Sequence, residues 1–95
     1  MNTESVIERV PDLMSTPVNE EMVFLNPTND NYVAIDAVGR RIWEVLEQPV
    51  RFGDLVDSLV AEFDGGRQQI EGDTAVFVVE LQREGMVRVA EHQAG

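Results

Sequence analysis

Cysteine and lysine are both missing from this chain, and tryptophan, tyrosine and histidine occur once each. Without cysteine there is no disulfide framework, no thiol nucleophile and no cysteine-based metal site. The lone histidine, His92, sits near the C-terminus and cannot build a two-histidine metal site within one chain. No serine or threonine has an evident base partner. The glycine-rich stretch DGGRQQ (Asp64–Gln69) lacks the lysine and the helix context of a phosphate loop. Carboxylates are plentiful but fall on the solvent faces of the expected elements. An enzyme is not expected, and neither a cofactor nor a metal is implied.

Long apolar runs are missing too. Nothing approaches the ~20 residues needed to span a bilayer. The N-terminal MNTESVIERVPD has neither the basic nor the apolar region of a signal peptide. A cytoplasmic protein that does not enter membranes is the expectation, read as free-standing from Met1 to Gly95. At 95 residues it makes one small domain, 1–95, with an ordered core over about 6–90, and 43% hydrophobic residues suffice for a globular fold.

What the chain has in excess is negative charge. All seven basic residues are arginine, set against 18 acidic ones, for a formal net charge of −11. Duplex binding needs a basic footprint that releases counterions, so nucleic acid and anionic lipid are disfavoured as partners. The charge serves solubility or selects a basic partner.

Along the chain, residues 1–12 read as a loose lead-in around VIERV. DLMSTPV, between Pro11 and Pro17, reads as a short edge strand. EMVFLNPTNDNYVAID reads as a hairpin with arms Met22–Asn26 and Asn31–Asp36 around the turn-forming NPTND. Asp36 then caps a helix in which Val38, Ile42, Val45 and Leu46 recur at helical spacing, with Trp43 beside them and Pro49 beyond the end. A second helix is predicted over Phe52–Phe63, with an apolar stripe of Phe52, Leu55, Val56, Leu59, Val60 and Phe63. DGGRQQ reads as a loop. A third helix is predicted over Asp73–Glu84 with Gly85 as its left-handed terminator. MVRVA follows as a short β-like run, and EHQAG as a frayed tail. The order argues an α+β domain with a three-stranded antiparallel sheet followed by three helices.

The third helix is wider in its hydrophobicity than one buried face needs. At about 100° per residue, Ile70, Thr74, Phe77, Val78 and Leu81 share a side, while Val76 and Val79 project nearly opposite, with Arg83 beside them. Either the helix is buried on two sides, or an apolar groove edged by Asp73, Glu80 and Arg83 lies open beside it. An apolar helix flank next to a free strand edge is a place where a peptide docks by adding a strand.

Three stretches together resemble PqqD-like proteins, the RiPP recognition elements, over roughly residues 6 to 90. NYVAIDAVGRRIWEVLEQP carries a strand tyrosine, a capping aspartate, a glycine and an Ile-Trp pair: Tyr32, Asp36, Gly39, Ile42 and Trp43. DLVDSLVAEFD is similar to the family's second helix and DTAVFVVELQREGMV to its third. The chain departs from the pattern at Arg51, where a capping Thr or Ser is usual, and at Thr74, where an apolar residue is usual. The resemblance implies a winged helix-turn-helix-like fold. It also implies a non-catalytic role: binding the leader region of a ribosomally made precursor peptide, by strand addition in the cleft between the third strand and the third helix. By position, the peptide-binding residues are Asn31, Tyr32, Val33, Ala34 and Ile35 on the strand and Asp73, Val76, Val79, Glu80 and Arg83 on the helix. The implied partners are the precursor peptide and a maturation enzyme, such as a leader peptidase or a radical enzyme. The strand-to-helix segment leans towards lasso peptide pathways. A free strand edge also allows two copies to pair as a homodimer. Ile42 and Trp43 are expected to pack beneath the sheet, and Gly39 to allow close helix–strand approach.

Two alternatives remain. A winged-helix DNA-binding regulator shares the architecture. Asp57–Leu59 (DSL) is similar to the phosphopantetheine site of acyl carrier proteins, but Ser58 falls in mid-helix, and strand-like sequence fills the first third.

Overall fold

The computed structural model describes residues 1–26 and 31–90. Most of the expected NPTND turn, and the EHQAG tail with His92, lie outside the described residues. In chain order the elements are β1 (Val6–Arg9), β2 (Met14–Val18), β3 (Glu21–Asn26), β4 (Asn31–Ile35), α1 (Ala37–Val45), β5 (Val50–Arg51), α2 (Phe52–Glu62), α3 (Arg67–Arg83) and β6 (Val87–Ala90).

β2, β3 and β4 form the expected three-stranded antiparallel sheet, in that order. Its register sets Phe24 opposite Val33 and Met22 opposite Ile35 on one face, and Leu25 opposite Tyr32 and Val23 opposite Ala34 on the other. Strand side chains alternate between faces, so Phe24 and Ile35 are buried and Tyr32 and Ala34 are exposed.

The lead-in proves to be a strand. β1 is the centre of a second antiparallel sheet in the order β5-β1-β6, with Val6 facing Arg51 on one side and Ala90 on the other. The run after α3 is thus β6. These strands are two to four residues long, too short to show a period, and they exist because distant segments pair.

Asp36 caps α1 as expected: its Oδ1 accepts from the Gly39 amide at 2.8 Å. Ile42, Trp43 and Leu46 are buried, whereas Val38 is exposed. Trp43 meets Phe24 of β3 edge-on, centroids 4.7 Å apart, so the tryptophan packs under the sheet. The Arg9 guanidinium also lies over the tryptophan, 4.5 Å from the ring centroid. Arg9 Nε also donates to the Trp43 carbonyl at 3.1 Å, satisfying one of the carbonyls that a helix end leaves without an intrahelical partner.

α2 begins after Arg51, which makes no side-chain cap. The chain's own N-terminal segment substitutes: the Phe52 amide donates to the Ser5 carbonyl at 2.8 Å and the Gly53 amide to the Thr3 carbonyl at 3.0 Å.

α3 starts at Arg67, earlier than the predicted Asp73. The turn needs only Gly65, at φ +132, with Gly66 extended as the N-cap. Gln68, Gln69 and Glu71 are good helix formers, and Ile70 packs against the core. The helix ends on Gly85, at φ +73. The Gly85 amide donates to the Gln82 carbonyl and the Met86 amide to the Leu81 carbonyl, and both Leu81 and Met86 are buried. This is a complete Schellman terminus.

One buried apolar cluster joins both sheets to all three helices, running from Ile7 through Phe24, Ile35, Ile42 and Trp43 to Leu55, Leu59, Val78 and Leu81.

Candidate peptide-binding cleft

β4 is an end strand of its sheet. Among the described residues nothing pairs with its outer side, so alternate backbone amides and carbonyls along that edge have no ladder partner. The other end strand, β2, contains Pro17, which has no amide to donate and blunts that edge. β4 reads NYVAI, with no proline and no charge. The two edges of the sheet therefore differ, and the unblocked one runs beside α3.

Between β4 and α3 lies an open cleft of ≈ 520 Å³. β4 contributes Tyr32, Val33, Ala34 and Ile35, and α3 contributes Phe77, Glu80, Leu81, Arg83 and Glu84. Val33, Ile35, Phe77 and Leu81 make an apolar floor. Glu80, Arg83 and Glu84 supply charge, two carboxylates to one guanidinium.

The sequence-derived residues are divided by this geometry. Tyr32, Val33, Ala34, Ile35, Glu80 and Arg83 come together in the cleft. Asn31 opens β4, opposite Asn26. Asp73 lies one turn before Phe77 on α3 and lines a second cavity of ≈ 360 Å³. Val76 and Val79 are solvent-exposed, at 61% and 37%, so α3 is not buried on two sides. Neither valine lines the cleft or the second cavity. The helical pitch explains this. Phe77 and Leu81 face β4, and Val79, two residues from each, is turned about 200° away from the first.

Phe77, Leu81 and Glu84 were missed as cleft residues. Phe77 and Leu81 belong to the stripe that periodicity assigns to the core, and they serve as core and cleft wall together. Gly39 is the reason Phe77 can sit where it does. A Cβ on Gly39 would stand 2.9 Å from Phe77 Cζ and 3.2 Å from Ile35 Cβ. The expected close approach of α1 to the strand is present, and the tighter contact is with α3. Near the second cavity, Arg41 of α1 holds Glu62 at the end of α2, with both carboxylate oxygens within 2.9 Å of Nε. That hydrogen bonding pulls the Glu62 carboxyl below its ordinary range.

A family model described as "Coenzyme PQQ synthesis protein D (PqqD)" matches residues 21–87. The chain belongs to the PqqD family. Among solved structures, this PqqD-family protein is similar to "TbiB1 in Complex with the TbiA(beta) Leader Peptide", at 30% sequence identity and a TM-score of 0.75. That match covers 93% of this chain and 99% of the other. A second similar structure is "Lasso peptide synthetase B1 complexed with the leader peptide", at 22% identity and a TM-score of 0.74. It covers 86% of this chain and 96% of the other, and its likeness is one of fold. The search of curated proteins gives no match. The matched region runs from β3 to the start of β6 and so includes both walls of the cleft.

Proposed function

We propose that this protein is a non-catalytic adaptor that binds the leader region of a ribosomally synthesised precursor peptide. The leader adds as a strand to β4, lies in the cleft against α3, and is presented to a maturation enzyme such as a leader peptidase or a radical enzyme. One observation carries the reading: the unblocked edge of β4 faces an apolar-floored cleft, while Pro17 interrupts the opposite edge. Main-chain hydrogen bonds along β4 supply affinity, and the floor of Val33, Phe77 and Leu81 selects alternate side chains of the added strand. Two solved relatives of the same fold are complexes with leader peptides, which supports the same ligand class here and a lasso peptide pathway as its setting. The DNA-binding alternative gains no support, because a chain of net charge −11 lacks the basic footprint that duplex binding requires.

The test is a titration with a labelled leader peptide encoded beside this gene, with a scrambled leader as control. Saturable binding of the leader, absent for the scrambled peptide, is expected. Glu80→Arg inside the cleft should shift affinity by roughly fivefold or more, and Val79→Glu on the outer surface of α3 should shift it less. Equal binding of leader and scrambled peptide overturns the reading.

A further inference from the structure

The β2-β3-β4 sheet has a second face, turned away from the core. Its register stacks the outward side chains in cross-strand rows: Met14, Leu25 and Tyr32 in one, Thr16, Val23 and Ala34 in the next, Val18 and Glu21 in the last. An antiparallel sheet that shows one face to water normally carries polar side chains there. Here the first two rows hold no charge at all, in a chain that is 26% charged. Met14 is 68% exposed, Tyr32 75% and Val18 46%. An open groove of ≈ 420 Å³ runs over this face from β2 to Tyr32. Strand propensity accounts for valine, threonine and tyrosine on a sheet, but not for an exposed methionine beside a leucine. Contiguous exposed apolar surface marks an interaction site, and the centres of protein interfaces shed charge and favour tyrosine and methionine.

Two features say what covers this face. The first is its continuity with the β4 edge. Tyr32 lines both the cleft and the groove, and Ala34 stands on this face while also lining the cleft. A strand added to β4 widens the same face, with alternate side chains of the added strand level with Tyr32 and Ala34. A protein seated on the face therefore touches the bound peptide as well as this chain. The second feature is charge. Carboxylates stand at both ends of β2, Asp12 before it and Glu20 and Glu21 beyond it, all exposed. Neither β2 nor β3 carries a basic residue. A second copy would bring the same carboxylates and a further −11 against them, whereas an apolar patch with a basic rim complements both the face and its margins.

We propose that the outer face of the β2-β3-β4 sheet is the docking surface for the maturation enzyme, which meets it with an apolar patch rimmed by basic residues. The proposal rests on the strand-addition reading above. Met14, Thr16 and Val18 form the part of the surface farthest from the leader, and Tyr32 stands at the seam between enzyme and peptide. Pro17 blunts the β2 edge, so the enzyme covers the face of that strand and does not extend the sheet beyond it.

The experiment uses the full chain, the labelled leader and the purified maturation enzyme encoded beside this gene. Met14→Glu and Thr16→Arg place charges of opposite sign on β2, the strand farthest from the leader edge. Val76→Glu places one on the other exposed apolar surface, the outer side of α3. Each variant is checked for folding by circular dichroism, titrated with leader, and then, leader-loaded, titrated with the enzyme. Both β2 variants should bind leader as the parent does and lose enzyme affinity by roughly thirtyfold or more, the scale of a central interface residue. Val76→Glu should change neither affinity. A loss shared by charges of both signs is the cost of burying charge in an apolar contact, and two variants keep the test readable if one fails to fold. Enzyme binding that survives both β2 substitutions, or is lost only with Val76→Glu, overturns the docking surface while the cleft reading stands. A parent that sediments as a dimer, and becomes monomeric in both β2 variants, makes the face a self-interface and overturns the proposal too. If leader binds but the enzyme does not bind the loaded parent, the proposal falls alone. If no leader binds the parent, the strand-addition reading fails and the docking surface falls with it.

Discussion

Gly39 is caught between two opposing effects. Alanine is the better helix former by up to ~1 kcal/mol, yet a methyl group here meets the Phe77 ring at 2.9 Å and Ile35 Cβ at 3.2 Å. The ring tip can move; the Cβ of a buried, β-branched strand residue has far less freedom, so the contact outweighs the propensity gain. Gly39→Ala should lower the melting temperature by about 4–8 °C, the shift that ~1 kcal/mol produces in a domain of this size, as read by circular dichroism. Because Phe77 belongs to the wall of both cavities, the same substitution should also weaken leader binding. An unchanged melting temperature would mean that the ring swings aside at no cost. Thr74 shows how far a single residue was legible. It departs from the apolar pattern, and the structure answers with a local hydrogen bond to the Ile70 carbonyl, which lets a hydroxyl be buried in a helix.

α2 presents the same question at the scale of an element. Its first amides need acceptors, and Arg51 supplies none. The missing cap was visible in the sequence; its replacement was not, because the acceptors are main-chain carbonyls of Thr3 and Ser5, remote in sequence. Deleting residues 1–5 should therefore destabilise the fold by roughly 1–2 kcal/mol, the usual worth of a lost helix cap, measured by urea denaturation. Ser5→Ala keeps both carbonyls and should cost less than the deletion; equal losses would show that the buried Ser5 hydroxyl, and not the main chain, matters. The same remoteness hid the second sheet. β1 pairs with residues near 50 and 90, and two- to four-residue strands have no period to read. By contrast α1, α2, the hairpin arms and the Gly85 terminus were legible, because capping residues, helical stripes and turn glycines act locally. The cleft was half legible. The surplus width of α3 pointed to an open face, and Val76 and Val79 are indeed exposed. Which flank of the helix adjoins β4 depends on packing, and packing puts Phe77, Leu81 and Glu84 there.

For the whole molecule the decisive quantities are its charge and its single unblocked edge strand in the β2-β3-β4 sheet. A free edge is an invitation to pair with any other strand, including that of a second copy. Two copies each carrying −11 repel one another, and the repulsion grows as salt is removed. A leader with a basic segment meets the opposite field, and the cleft adds carboxylates where such a segment would lie, Glu80 and Glu84. If the leader adds at this edge, the acidic surface would favour it over a second copy of the chain. Raising ionic strength from about 0.01 M to about 1 M shortens the Debye length from about 30 Å to about 3 Å. Across that range the leader's affinity should fall by roughly tenfold or more, chiefly through a slower association rate, while any self-association seen by sedimentation should rise. Rate measurements by stopped-flow fluorescence would separate the contributions. A salt-invariant association rate would mean that backbone pairing and the apolar floor recognise the peptide unaided, and that the acidic surface serves solubility alone.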